Sequence, residues 1–179
     1  MYQLLYLLRD VVALRRGPQD APHSPRLLIA LCAVTLLLQM AIARVLNVEG
    51  ETLGAGIVAL AFNLGLLYLL LSLRKLGNRF VQAALTLLGV AMLFQLLSLP
   101  IVLLAGGHPP NAGDHLTPLQ VLLGLVSLPI LVWKLIVDAH ILRHSLNVPF
   151  ISGVIIAVCW IIAELILGAA LGGAGPGTT

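Results

Sequence analysis

Residues 118–171 have the sequence PLQVLLGLVSLPILVWKLIVDAHILRHSLNVPFISGVIIAVCWIIAELILGAAL. This stretch contains two apolar runs, 118–142 and 149–171, separated by a short segment with Asn147 and Pro149. Each run has the roughly 20 apolar residues that a helix needs to cross a bilayer core about 30 Å thick. Pro149 suits the first turn of the second helix, where a backbone N–H would have no partner. The stretch therefore predicts two consecutive transmembrane helices.

Three further apolar runs of spanning length precede this pair, at about 26–46, 53–73 and 80–105. Of all residues, 60% are hydrophobic and 9% are charged, whereas a soluble domain has about 25% charged residues. The runs do not alternate polar and apolar residues, so they do not fit the strands of a membrane barrel. We predict an all-α bundle of five spans over 25–172, after an amphipathic cytoplasmic segment, 1–24, and before a flexible tail, 173–179.

The basic residues predict the orientation of the bundle. On one side of the predicted membrane lie Arg9, Arg15, Arg16, Arg74, Lys75, Arg79 and Arg143. The loops on the other side carry Glu49, Glu51 and Asp114 instead. The positive-inside rule then places the N-terminus in the cytoplasm and the C-terminus outside. We expect a multi-pass protein of a bacterial inner (plasma) membrane. Basic residues at span edges indicate topology and not a nucleic-acid partner.

The start of the chain predicts a short amphipathic helix. Its apolar residues recur at helical spacing, and Gly17-Pro18 ends the pattern. Such a helix either serves as an interfacial anchor or partner-binding element, or packs under the bundle. Cleavage as a signal peptide after Ala43 is not expected, because the first apolar run is of spanning length and follows a long segment with Asp10 and Asp20.

Each predicted span carries one or two strongly polar residues away from its ends. They are Gln39, Asn63, Gln95, Lys134, Asp138 and Glu164. At 1.5 Å per helical residue, Lys134 lies about 13 Å from Arg143, and Glu164 about 22 Å from Pro149. A charge at a span centre costs about 2.5–3.5 kcal/mol on insertion scales. We therefore expect these side chains to face the bundle interior, as a polar layer near the membrane middle.

The charges of this layer leave several interpretations open. Lys134 and Asp138 are four residues apart and can pair along one helix. Glu164 is then either protonated or paired with Lys134 from the neighbouring span. Ionisable residues inside a membrane suggest function by default, here a path for a proton, an ion or a substrate. The alternatives are a structural pair that joins the fourth span to the fifth, contact with lipid headgroups, and subunit pairing.

Other motifs add little chemistry. His140 and His144 have the spacing of two metal ligands on one helix face, but no third ligand is near in sequence, so we predict a solvated basic rim and no metal. His108, Asp114 and His115 are no stronger candidates for metal ligands.

Cys32 and Cys159 lie in apolar runs, which argues against a disulfide. We predict no cofactor and no catalytic residue. Gly168-x-x-x-Gly172 predicts a helix contact within or between chains, which leaves a homo-oligomer open.

Residues 133–162, WKLIVDAHILRHSLNVPFISGVIIAVCWII, resemble the bacterial branch of the Yip family, the Ypt/Rab-interacting membrane proteins. Trp133, the stretch HILRHSLNVP at 140–149 and the five-span layout carry this resemblance. Eukaryotic members have a D-L-Y-G-P segment where this chain has LLRDVVALRRGPQDAPH at 7–23, so their Rab-related role is not transferred.

The resemblance implies a non-enzymatic protein that organises the membrane or binds a membrane or cytoplasmic protein. The alternative is a small transporter or ion or proton pathway that uses the intramembrane charges.

Overall fold

A computed structural model describes residues 2–46, 53–105 and 117–172 of the protein. The described residues form six α-helices, which are α1 (Tyr2–Val12), α2 (Pro25–Leu46), α3 (Leu53–Leu73), α4 (Phe80–Leu104), α5 (Pro118–Leu146) and α6 (Phe150–Gly172). Two 3₁₀ turns, Pro18–Asp20 and Gly77–Arg79, precede α2 and α4. These ranges contain no strand. The predicted boundary Asn47–Glu51, the loop residues His108, Asp114 and His115 and the tail 173–179 lie outside them.

Helices α2 to α6 are each long and apolar enough to cross a membrane. The prediction of an all-α bundle with five spans is thereby confirmed. Helix α5 runs four residues beyond the predicted span, because nothing in Arg143–Leu146 breaks the helix. It ends at Asn147, whose left-handed backbone (φ 54°) lets its N–H donate to the carbonyl of Arg143. A left-handed residue after the last turn is a common way to end a helix.

The five spans pack in a ring in which α2 contacts α3, α3 contacts α6, α6 contacts α5, α5 contacts α4, and α4 contacts α2. Helix α3 also contacts α4 and α5 across this ring. The short connections from α3 to α4 and from α5 to α6 make these neighbours antiparallel. Both connections lie at one end of the bundle, which also carries Arg74, Lys75, Arg79 and Arg143. We call this the basic end, and the opposite end the far end.

Packing is tightest in the half of the bundle next to the basic end. The buried residues of α5 all lie between Val137 and Leu146, and those of α4 between Ala83 and Phe94. Four almost fully buried leucines, Leu67, Leu71, Leu85 and Leu142, form what we call the leucine layer. At 1.5 Å per residue, these leucines lie within about 9 Å of the basic ends of their helices. The centre of the bundle is therefore packed with apolar side chains on this side.

A close contact joins α5 to α6 near the basic end. A Cβ atom at Gly153 would come within 2.6 Å of the carbonyl oxygen of Ala139 and 3.1 Å of Cβ of Arg143. Ala157, one turn further along α6, is also buried. The contact needs a glycine at 153 because the nearest atom belongs to the backbone. Gly168 has no described atom of another helix within 4 Å of its Cβ position, so it faces away from the described part of the bundle.

Helix α1 packs along α4 and α5 at the basic half. Leu7, Leu8 and Val11 are buried in a cluster with residues of both helices. Leu8 lies over Gly89, where a Cβ would come within 2.8 Å of its methyl groups. Gly89 is the tenth residue of α4, so Leu8 lies about 13 Å along that helix. Of the two alternatives that the sequence left open for α1, the structure has the helix packed on the bundle.

Candidate functional site: a polar chamber inside the bundle

One cavity of about 160 Å³ lies at the centre of the ring. All six predicted polar residues line it, together with Thr35 and Trp160. We call this space the polar chamber after Gln39, Asn63, Gln95, Lys134, Asp138 and Glu164, which line it together with apolar residues of the same helices. Every one of the five spans contributes a side chain to its wall. At 1.5 Å per residue, these residues lie about 12 to 22 Å from the basic ends of their helices. This depth corresponds to the middle of a bilayer.

The helices turn these residues inward because small residues share their faces. On α2, Thr35 is buried one turn before Gln39. On α3, Ala59 precedes Asn63 by one turn and lines the same cavity. Gly56 lies opposite Gln39, with 3.4 Å between its Cβ position and Oε1 of that side chain. Small side chains allow helices to approach closely, so that polar neighbours face protein instead of lipid.

Lys134 and Asp138 form the ion pair that their spacing predicts. Nζ of Lys134 donates to Oδ2 of Asp138 at 2.6 Å, one helical turn apart. The two side chains are 30% and 14% exposed. Among the described side chains, no ion pair joins Lys134 to Glu164, so the structure does not have the cross-span pair considered above. The pair neutralises two charges within α5, and Glu164 takes no part in it.

Trp160 connects the chamber residues of α3 and α6. Its indole Nε1 donates to Oδ1 of Asn63 at 2.7 Å and lies 3.3 Å from Oε1 of Glu164. The side-chain amide of Asn63 donates in turn to the carbonyl of Ala59. Trp160 is not among the residues predicted from the sequence. Its four-residue spacing from Glu164 was the signal that could have found it, because such pairs lie on one helix face.

Glu164 is an exposed carboxyl at bilayer depth. Within the described part of the chain, no lysine or arginine pairs with it. An ionised carboxylate without a cation is costly at this depth, and Glu164 is the chamber carboxyl that the Lys134–Asp138 pair leaves without a cation among the described residues.

A second cavity of about 310 Å³ adjoins the chamber between α4 and α5. Both cavities are lined by Ala91, Gln95 and Lys134. The remaining lining residues are Phe94, Ser98, Ser127, Ile130 and Leu131. We call this space the α4–α5 groove. Lys134 thus borders the chamber on one side and the groove on the other.

The predicted basic face is dispersed over the basic end. Arg15, Arg74 and Lys75 are exposed. Arg79 is half-buried, and its guanidinium donates to the carbonyl of His144 at 3.4 Å. This contact joins the α3–α4 connection to the end of α5.

The remaining three basic residues make local contacts. The guanidinium of Arg143 lies 5.9 Å from the centre of the Phe150 ring. Arg9 and Arg16 both pair with Asp10, at 3.0 and 3.3 Å. Arg9 follows Leu8, which lies about 13 Å along α4. Arg9 is therefore further from the basic end than the other six residues of the predicted basic face.

The histidine pair serves the packing of the N-terminal segment. The rings of His140 and His144 are 4.6 Å apart, and Nε2 of His140 lies 3.1 Å from the carbonyl oxygen of Arg16. Gln82 donates to the carbonyls of Gln19 and Ala21 nearby. In the described ranges, no three His, Cys, Asp or Glu side chains come together as metal ligands would. These contacts hold residues 16–21 against the bundle.

Comparison with known proteins finds no relative of this chain. No protein-family model matches, and neither a curated protein nor a solved structure is similar to it. The resemblance to the Yip family stays a prediction.

Proposed function

We propose that this chain is a small, non-enzymatic transport protein of a membrane. In it the polar chamber carries a proton or a small polar solute, and Glu164 is the group that binds the proton. The observation that carries the proposal is a central cavity whose wall includes an acidic side chain that no basic residue of the described chain neutralises. If the polar residues served packing alone, they would be expected to fill the space between the helices with their own contacts.

The size and position of the chamber support this proposal. A single water needs about 10–15 Å³ of such space, so 160 Å³ has room for several waters. The leucine layer lies between the chamber and the basic end. In alternating access, a transporter has states in which the central site is closed toward one side of the membrane. The leucine layer closes the chamber in this way. We propose that the basic end faces the cytoplasm of a bacterial cell, so that this state closes the chamber on the cytoplasmic side.

Proton flux into proteoliposomes tests the role of Glu164. The purified protein is reconstituted with a pH-sensitive dye inside, and a potential is applied with potassium and valinomycin. We expect Glu164→Gln to reduce the flux at least tenfold, because an amide, unlike a carboxyl group, does not take up and release a proton as an acid near neutral pH. Asp20→Asn, which removes an exposed carboxyl at the basic end, is the matched control and should keep the flux. Wild-type flux in Glu164→Gln would refute the proposal.

A second candidate function rests on the exposed basic residues. Arg15, Arg74 and Lys75 are free of ion pairs to described side chains and lie at one end of the bundle. A membrane-organising or partner-binding protein of the Yip kind would use this end to bind anionic lipid or an acidic protein. Arg74→Ala with Lys75→Ala should then weaken binding to anionic vesicles, while Glu164→Gln should not. Equal binding by both variants would remove this candidate.

A further inference from the structure

The α4–α5 groove opens on the outer surface of the ring. All of its described lining residues belong to α4 and α5, and Leu131 among them is exposed. Helix α1 borders the groove at Phe94 and Ile130, which line the groove and also pack in the cluster that α1 forms. At Leu131 the groove faces lipid in a membrane, and it leads sideways to Lys134 and the polar chamber.

The described lining of the groove contains hydrogen-bond donors and one charged residue, Lys134. Asp138 lines the chamber but not the groove. An ammonium group has three N–H donors, and Asp138 accepts from one of them. Gln95, Ser98 and Ser127 add polar groups along the groove. Ser127 is seven residues from Lys134, so this polar track extends about 10 Å toward the far end.

We propose that the α4–α5 groove binds a membrane amphiphile with an acidic head, which enters from the bilayer with its head against Lys134. The class comprises long-chain carboxylic acids and anionic phospholipids, whose heads share the chemistry of a negatively charged oxygen acceptor. The head makes charge-assisted hydrogen bonds to Lys134, and the aliphatic tail lies along Phe94, Ile130 and Leu131. The volume of 310 Å³ is at the lower end of the roughly 300–1,000 Å³ of small-molecule sites.

This proposal deepens the proposed function, because it identifies the solute that reaches the chamber from the side. The described groove residues offer a cationic solute no carboxylate, because Asp138 does not line the groove. An acidic head instead reaches the N–H donors of Lys134 beyond the one that Asp138 accepts. Glu164, on the other side of Lys134, then supplies the proton site that a coupled movement of the acid requires.

Photo-crosslinking in nanodiscs of neutral lipid tests the groove. Three diazirine probes of equal chain length are compared, namely a carboxylic acid, a phosphatidylglycerol and an uncharged alcohol. We expect at least one acidic probe to label α4 and α5 peptides about tenfold more than the alcohol does. The acid and the phospholipid arms identify which source the groove takes. Equal labelling by all three probes would overturn the proposal.

Two pairs of variants separate binding in the groove from general effects on folding. Lys134→Met should remove the preference for acidic probes, and Lys134→Arg should retain it. Ser127→Trp fills the groove without touching the ion pair and should lower labelling about tenfold. Leu125→Trp, at an exposed position of the same helix, is its matched control and should label like the wild type. Unchanged labelling in Ser127→Trp would contradict the site.

The labelling needs no gradient, so its outcome is independent of the proton flux. Labelling without flux would refute the proposed function and leave the groove site. Flux without preferential labelling would refute the groove site alone.

Discussion

Lys134, Asp138 and Glu164 illustrate what can be read at the scale of single residues. Their depth follows from counting residues along a helix, and the pairing of Lys134 with Asp138 follows from a spacing of one turn. The indole of Trp160 is one turn from Glu164 on α6, so their contact follows from spacing as well. The contact of the same indole with Asn63 does not, because it depends on how α6 is rotated against α3.

The ion pair allows a prediction about stability. Lys134→Met leaves the carboxylate of Asp138 without its cation, so we expect the free energy of unfolding to fall by about 2 to 3 kcal/mol. This is less than the 3–5 kcal/mol of a fully buried pair, because the lysine side chain is 30% exposed. Lys134→Met with Asp138→Leu should recover most of the loss. The measurement is unfolding in mixed detergent micelles, followed by circular dichroism.

The double variant also separates structure from transport. If the pair belongs to the transport path, the double variant folds but carries no proton or acidic solute. A double variant that is as unstable as Lys134→Met would show that the two residues do not stabilise the bundle through their pairing.

At the scale of helices, small residues determine which spans approach each other. Gly153, Ala157, Glu164 and Gly168 recur at helical spacing on one face of the last span. The structure uses Gly153 and Ala157 for the contact with α5, while Gly168 lies away from the described part of the chain. The sequence could not separate these positions, since both glycines have the same local pattern. Only the crossing of α5 and α6 near the basic end distinguishes them.

This contact predicts different effects for two equal substitutions. Gly153→Ala brings a methyl group against the carbonyl of Ala139, and the backbone cannot rotate away, so we expect a loss of about 1–3 kcal/mol in the free energy of unfolding. Gly168→Ala has open space and should stay within about 0.5 kcal/mol of the wild type. Detergent unfolding of both variants measures the difference. Equal stability would mean that α5 and α6 do not pack as described.

At the scale of the whole molecule, the bundle has a basic end and a far end that carries few charges. The positive-inside rule predicts that the basic end faces the cytoplasm. In a background of Cys32→Ala and Cys159→Ala, we expect a membrane-impermeant maleimide to label Leu119→Cys on intact cells and not Asn78→Cys. Both positions are exposed, at opposite ends of the bundle. The reverse labelling pattern would show that the basic end faces outward. The side of the chamber opposite the leucine layer would then face the cytoplasm.

The sequence by itself determined that the chain forms five spanning helices, and at what depth each polar side chain lies. These properties are local, because the length and composition of a helical run govern its transfer into hydrocarbon. The tertiary structure alone decided that the six polar residues meet around one chamber, that the leucine layer lies beside it, and that α1 packs on α4 and α5 beside the α4–α5 groove. These properties depend on contacts between residues far apart in the chain, such as Leu8 with Gly89 and Asn63 with Trp160. Such contacts result from the shapes of several helices packed together, which the periodicity of a single helix does not contain.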